Sequence, residues 1–363
     1  MKPCALYIHI PFCAKKCAYC DFASWAGRER DQARYLLALE EEFKSAAKRY
    51  GKLPVATVFI GGGTPSILPE DAVMRLLAMT RARFSLSEDA EVTVEANPGT
   101  LSPEKLRAWR DSGVNRLSMG LQAAQPRLLQ MLGRIHDARE AAQSVEWARS
   151  AGFRNINLDL MYALPGQTMA EWVESLQFAR RLNPEHLSLY SLIVEPGTRM
   201  ERAITEGVLP APDDDDAIDM QRAAGRIVLR HGYARYEISN YAKPGFECRH
   251  NLTYWTRGDY LGLGCAAHSM MSGERFENTA DFDQYLLGIR EVARRAIGPE
   301  EAREEAILLG TRMTAGIPME LMSKKRAEIA RLQAGGFIRV EKGRLALTDR
   351  GMEVQNAVVL ELV

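Results

Sequence analysis

Charge of one sign is what this 363-residue chain most plainly lacks: Lys and Arg total 47, Asp and Glu total 47, and the formal net charge is zero. With no cationic surplus to displace counterions along a phosphate backbone, bulk charge argues against a nucleic-acid partner. No uninterrupted apolar run approaches the roughly 20 residues that span a bilayer, which excludes an integral membrane helix. The opening MKPCALYIHIPFC carries one lysine and a short apolar stretch with no small-residue cleavage site after it, so a cytoplasmic location is expected. Cysteine is sparse as well: six in this length cannot frame a secreted disulfide scaffold. What is present is ordinary for a globular protein, 46% hydrophobic and 26% charged residues, with chain enough for about two domains or slightly more.

Runs rich in Val, Ile and Leu alternate with stretches of helical period through the first 200 residues. Strands are expected at 6–10, 55–60, 92–95, 116–119, 155–160 and 186–191, and helices at 31–49, 70–82, 103–110, 138–151 and 169–180. Such an α/β pattern implies parallel strands joined by right-handed crossovers. Periodicity leaves open whether six units form a doubly wound sheet or three quarters of a TIM-type barrel. In either case chemistry gathers at the C-terminal ends of the strands. Cys13, the run Gly61, Gly62, Gly63 and Thr64, then Glu95, Gln122 and Asp159 all fall at or just past those ends.

The strongest punctuation is the LPAP run at 209–212 with four aspartates after it. It suggests three parts: a barrel-like 1–207, an extension over 208–298 and a small domain over 299–363. The last reads as helices closing with a hairpin, a winged-helix-like pattern. Over 291–363 there are 12 Lys and Arg against 11 Asp and Glu, a net of +1, which argues against the DNA binding that winged helices often serve.

Three cysteines, Cys13, Cys17 and Cys20, are crowded into eight residues. Three soft thiolates from one loop can hold three corners of a four-iron cluster and leave one iron open to a small molecule. Structural zinc would need a fourth ligand from a distance, such as Cys248, His250 or Cys265, and inert buried thiols are a third reading.

CxxxCxxC after a strand, with the aromatic Tyr19 before the last cysteine, resembles the signature of the radical S-adenosylmethionine (SAM) superfamily. The GGGTP run at 61–65 is similar to that superfamily's glycine motif, in which absent side chains let backbone approach the methionine ammonium. Further stretches resemble the coproporphyrinogen dehydrogenase branch: YIHIPFC at 7–13, EANP at 95–98, GLQ at 120–122, LGR at 132–134, NLDL at 157–160 and LPGQT at 164–168. The resemblance covers most of residues 5–270. It implies a partial (β/α)6 barrel of the TIM type, a 4Fe-4S cluster on Cys13, Cys17 and Cys20, and SAM lined by Tyr7, Gly62, Gly63, Thr64, Glu95, Gln122, Arg134, Asp159 and Ile193. Arg134 suits the methionine carboxylate and Glu95 the ribose hydroxyls, whereas Ile193 could act only by packing or backbone. Taken singly, Asp159 reads as a hydrogen-bonded core group, Glu95 as a strand-end ion pair and Tyr7 as core; His9 shares Tyr7's sheet face.

Two departures from that branch, Phe22 in place of a fourth cysteine and only 12 residues before Cys13, are similar to the related haem chaperones. The HNLTYW stretch at 250–255 resembles the HNxxYW element to which that group's haem binding is attributed, which implies haem contacts from His250, Asn251, Tyr254 and Trp255. Taken alone, the stretch reads as a surface loop entering a strand. Cys248 could bind iron or be a buried thiol, and the GLGCAAHS run at 262–269 resembles a glycine-rich family element. The chaperone resemblance implies haem as cargo and acceptor haemoproteins, respiratory enzymes among them, with any membrane contact peripheral and through a client. It leaves a homodimer open. The enzymatic alternative is SAM-dependent oxidative decarboxylation of coproporphyrinogen.

Overall fold

Strand alternation, more than strand hydrophobicity, sets the architecture. The computed structural model describes residues 3–322 and 325–363. Six strands lie parallel and in chain order, β1 (Cys4–Ile10), β2 (Pro54–Gly62), β3 (Ser85–Ala96), β4 (Arg116–Gln122), β5 (Ile156–Tyr162) and β6 (His186–Ser191). Between them run α1 (Gln32–Tyr50), α2 (Ala72–Arg83), α3 (Pro103–Asp111), α4 (Pro126–Leu132), α5 (Ala138–Ser150) and α6 (Met169–Arg181). The expected strands fall within these to one residue and the expected helices to two; the seven-residue helices α4 and α7 (Arg199–Thr205) are too short for periodicity to reveal. A doubly wound sheet reverses its strand order at a switch point, and this one does not, so the arrangement is that of an unclosed (β/α)6 barrel.

One face of each strand is apolar and the other polar. Leu6, Ile8 and Ile10, Val58 and Ile60, Val92 and Val94, Leu117 and Met119, Leu158 and Leu160, and Leu187 and Leu189 join the main core with Leu39, Leu76, Trp109, Val145 and Trp172 of the helices. The opposite face carries rows set by register, among them Tyr7, Phe59, Thr93 and Arg116, then Glu95, Ser118, Asn157 and His186, then Gly120, Asp159 and Ser188. Helices therefore cover the apolar face, and the polar face is left to line the barrel interior. Capping boxes at Asp137 with Glu140 and at Thr168 with Glu171 start α5 and α6 where the sequence leaves its turns.

The stretch 208–298 extends both edges of the same sheet. Its aspartate run is the N-cap and first turn of α8 (Asp214–Leu229), with Asp213 accepting from the Asp216 N–H at 2.9 Å, where the helix dipole favours negative charge. After α8 come β7 (Ala234–Arg235) and β8 (Asn240–Ala242), antiparallel beside β6, and then α9 (Arg249–Trp255). β9 (Tyr260–Leu263) pairs parallel with β1, and β10 (His268–Met271), β11 (Glu274–Asn278) and β12 (Glu291–Ala296) follow antiparallel, with α10 (Phe282–Leu286) before the last. Met220, Tyr241, Leu263 and Tyr285 of this stretch belong to the main core.

The last part has a core of its own around Ile307, Ile329, Leu332 and Leu345. It is built from α11 (Pro299–Gly310), β13 (Ile317–Pro318), a 3-10 turn at Met319–Met322, α12 (Arg326–Ala334) and the hairpin β14 (Ile338–Glu341) and β15 (Arg344–Leu347), in sheet order β13-β15-β14, the topology of a winged helix. Among the described residues no helix is long and apolar enough to cross a membrane.

Candidate functional site

Past the end of β1 the chain makes a loop whose two ends are tied together: Trp25 N donates to the Pro11 carbonyl at 2.8 Å and Cys13 N to the Trp25 carbonyl at 3.0 Å. α4 and α7 hold its middle, since Ala18 N donates to Leu132 O at 2.9 Å, Met200 N to Ala18 O at 2.8 Å, and Arg199 to the Lys16 carbonyl. The glycine loop after β2 is stapled to the same strand end by Gly63 N to Ile10 O at 2.8 Å and Thr64 N to Phe12 O at 2.7 Å. A side chain at Gly63 would press its Cβ to 2.6 Å from the Phe12 carbonyl, and Gly62, at φ +109°, would drive one into the His9 ring. These glycines are what let the two loops touch.

The result is a cleft of about 160 Å³ lined by ten of the expected residues: Cys13, Cys17, Cys20, Gly62, Gly63, Thr64, Glu95, Gln122, Arg134 and Asp159. Cys13 is buried, Cys17 and Cys20 are half-buried, and all three are free thiols. Arg134 donates through Nη1 to Cys17 Sγ at 3.3 Å and through Nη2 to the Gly120 carbonyl at 2.9 Å, while its Nε is buried without a partner. Thr64 Oγ1 lies 3.6 Å from Cys13 Sγ. Hydrogen-bond donors aimed at cysteine sulfurs and an unsatisfied guanidinium beside them suit thiolates that carry a cluster and an anionic ligand near it. No three His, Cys, Asp or Glu side chains among the described residues gather tightly enough for one metal ion. The distant zinc ligands are also elsewhere: Cys248 donates to Glu91 Oε1 at 3.5 Å, Cys265 to the Thr279 carbonyl at 3.2 Å, and His250 is bound in another network.

Glu95 Oε2 accepts from Gly62 N at 2.9 Å. Burial, with Asp159 nearby and despite that N–H, pushes its carboxyl up to about 7. Asp159 accepts from Asn157 Nδ2 at 2.7 Å and from Ser118 Oγ at 3.4 Å, and burial raises it too. Gln122 ends β4 at φ +65°, where the β4–β5 register shifts, an uncommon backbone state for a residue with a side chain.

Two expected SAM residues do not reach the cleft. Ile193 is 69% exposed beyond β6. Tyr7 acts at one remove: its hydroxyl bonds His9 Nδ1 at 2.9 Å, and His9 Nε2 bonds the Ala23 carbonyl of the cysteine loop at 2.8 Å. Burial lowers the His9 pKa, so the ring is neutral, donates to Ala23 and accepts from Tyr7.

Deeper in the barrel a second cavity of about 410 Å³ shares Tyr19, Phe22, Glu95, Ser118, Gln122 and Asp159 with the cleft and adds Phe59, Arg116, Asn157, Met161, Ser188, Tyr190 and Asn251. Arg116, Ser118, Asn157, Ser188 and Tyr190 were not singled out from the sequence. The signal was the period-2 polar set within otherwise apolar strands, at 116, 118 and 122, at 157 and 159, and at 188 and 190.

The HNxxYW stretch is the helix α9, not a loop entering a strand. Of its four expected ligand residues only Asn251 faces the second cavity. His250 is 1% exposed, with Nδ1 bonded to Thr57 Oγ1 and Nε2 to the Tyr254 hydroxyl, both at 2.9 Å, and its backbone N–H donating to Glu91 Oε1 at 3.0 Å. Burial and the nearby Arg116 charge bring its pKa down to about 3. Tyr254 packs edge-on between His250 and Tyr260, and Trp255 stacks under Arg312, 4.4 Å from the ring centre. His268, which drew no role from the sequence, sits exposed beside Glu277.

Comparison with known proteins agrees with this geometry. Residues 7–179 match the Radical SAM superfamily and 297–354 the HemN C-terminal domain. The chain is 38% identical over 367 residues to Heme chaperone HemW of Bacillus subtilis (strain 168), covering 97% of each, and 36% identical over 371 residues to that of Mycobacterium tuberculosis (strain ATCC 25618 / H37Rv), covering all of this chain and 95% of the other. The Escherichia coli (strain K12) Heme chaperone HemW is 43% identical over 279 residues, 75% of this chain and 71% of that one. In fold, the chain is similar to the solved structure of Escherichia coli coproporphyrinogen III oxidase (HemN), described as a radical SAM enzyme, with TM-score 0.88 and 24% identity over 99% of this chain and 90% of that one. With relatives above 30% identity along nearly its whole length and its cysteine and glycine loops joined in one cleft, the chain belongs to the Heme chaperone HemW family of the radical SAM superfamily.

Proposed function

We propose that this protein is a haem chaperone: it binds haem and passes it to acceptor haemoproteins, respiratory enzymes among them, and carries a SAM-bound 4Fe-4S cluster at the mouth of its barrel. The observation that carries the reading is similarity along nearly the whole chain to proteins named Heme chaperone HemW. Cys13, Cys17 and Cys20 are the cluster ligands in this reading, with Arg134 and Thr64 donating to their sulfurs. When bound, a cluster with three protein ligands supplies an open iron that coordinates SAM and an electron source beside it.

The chain's own groups account for the SAM contacts. Gly62, Gly63 and Thr64 offer backbone to the methionine end, Arg134 its partnerless Nε to the carboxylate, and Glu95, Gln122 and Asp159 acceptors to hydroxyl and amine groups. Tyr7 positions the cysteine loop through His9, and Ile193 closes over SAM only after moving in from solvent. For haem, Asn251 reaches the cavity directly, while His250, Tyr254 and Trp255 hold the helix that presents it. Iron ligation by His250 requires one ring nitrogen to give up its partner, Tyr254 at Nε2 or Thr57 at Nδ1.

The test is a haem titration of the anaerobically reconstituted protein, read by the Soret band, beside Asn251→Ala and His250→Ala variants whose folding is checked by circular dichroism. Saturable binding that Asn251→Ala weakens is the expected result. No specific binding, with coproporphyrinogen decarboxylated instead, would replace the chaperone by an enzyme.

A further inference from the structure

Arg116 is the largest polar side chain buried in the barrel, 2% exposed on the inner face of β4, and it lines the second cavity. Its Nε is buried with no hydrogen-bond partner. The carboxylates that face it are held by other donors. Glu91 accepts from the backbone N–H groups of Arg249 and His250, both at 3.0 Å, and from the Cys248 thiol. Asp159 accepts from Asn157 and Ser118. The histidines near it, His186 and His250, are kept neutral by burial and by its charge, so neither competes with it for an anion. A buried guanidinium is costly unless a carboxylate or comparable acceptor completes it, and this one opens onto space instead of onto a partner.

The rest of the cavity says what kind of molecule would bring that acceptor. The cavity walls include flat or flexible apolar groups, Phe59, Phe22, Met161 and the ring of Tyr190, surfaces that suit a planar apolar body. Along β4 the inner face runs Arg116, Ser118, Gly120, Gln122, and the lining of the cleft reaches down to Ser118, so Arg116 lies just below the SAM-facing groups, two residues of strand away. The cavity therefore sets aromatic and Met side chains among polar groups such as Ser118, Asn157, Ser188 and Asn251, with the cationic Arg116 at its floor and the carboxyls Glu95 and Asp159 at the end it shares with the cleft. Its volume of about 410 Å³ falls within the range of small-molecule sites.

We propose that Arg116 is the anchor for a carboxylate of the molecule that fills this cavity, which on the haem reading above is a porphyrin propionate. The proposal rests on that reading for the identity of the ligand and on the buried, incompletely bonded guanidinium for the contact. It places haem on the barrel's inner face, with Asn251 as wall and α9 as support.

The test varies the ligand before the protein. The reconstituted wild-type chain is titrated with haem and with haem dimethyl ester, whose propionates are neutral, following the Soret band. A charge-assisted contact predicts that the diacid binds roughly ten- to a hundredfold more tightly. Arg116→Met is expected to bring the diacid down to the ester's affinity while ester binding is unchanged, and Arg116→Lys to restore part of the preference. Equal wild-type affinity for diacid and ester overturns the anchor and leaves the haem reading standing. Binding of neither ligand overturns both. A preference that survives in a folded Arg116→Met variant, judged by circular dichroism and iron content, also overturns the anchor.

Discussion

The cysteine cleft and the HNxxYW helix both carry family motifs, yet their polar groups are committed very differently. In the cleft two sulfurs are half-buried, Arg134 has a free Nε, and Arg134, Thr64 and the Phe22 backbone aim donors at the cysteine sulfurs. In α9 the histidine has both nitrogens bonded, its backbone N–H bonded and its ring enclosed by Phe59 and Tyr254. Capacity left over in the fold, and not residue type, separates a ligand site from a structural joint: an imidazole that satisfies its neighbours in a dry core resists leaving, because each bond it abandons exposes an unpaired group.

The contrast should fail first and most visibly at the cysteines. Cys17→Ala is expected to abolish the visible iron-sulfur absorption and most bound iron after reconstitution; iron retained at the wild-type level would remove Cys17 from the ligand set.

Acid sharpens the other half. With its pKa brought down to about 3 by burial and by Arg116, His250 is neutral in the folded protein. Its contribution to stability is full above about pH 6.5, the unfolded value, and is lost as pH falls from there toward 3, at up to ~1.4 kcal/mol per pH unit. The stability gap between wild type and His250→Gln, measured by urea unfolding, is therefore expected to narrow as pH drops from 7 to 4. A constant gap would show that His250 is already solvated.

Arg134→Ala is expected to weaken SAM binding by about 1.5–3 kcal/mol in calorimetry, the range of a hydrogen bond to a charged group. Unchanged affinity would take the methionine carboxylate away from Arg134.

The smallest expected effect is at Thr57. Replacing it by Val leaves the His250 ring one partner short and should lower stability by about 1–3 kcal/mol in urea unfolding while leaving cluster content unchanged. A neutral substitution would mean that the α9 joint is not held there.

Much of the fold was legible because parallel strands buried beneath helices keep continuous apolar sets: 6, 8 and 10 or 117 and 119 cannot be mistaken for surface. The cleft was legible because Cys13, Cys17 and Cys20 are close in sequence, and because Gly62, Gly63, Glu95, Gln122 and Asp159 fall at strand ends that a β/α barrel brings to one rim. Arg116, Ser188 and Tyr190 were harder to see. A lone arginine at the start of a strand reads as an exposed end, and only alternation across neighbouring strands turns it inward. α4 and α7, a single short stretch each, left no period to read although they hold the cysteine loop.

Local chemistry written along the chain was thus sufficient for the strands and helices themselves and for the three thiols of one loop, since each depends on residues near one another in sequence or on one period, whereas the choice of barrel order over a doubly wound one was made in packing. The relay from Tyr7 through His9 to Ala23, the outward turn of Ile193 and the unpaired nitrogen of Arg116 are set by tertiary packing, and the occupation of His250 depends on partners well over a hundred residues away, Thr57 for its ring and Glu91 for α9. Hydrogen-bond capacity is allotted only when those elements pack. A motif therefore names donors and acceptors, and the folded barrel decides which of them remain free for a ligand.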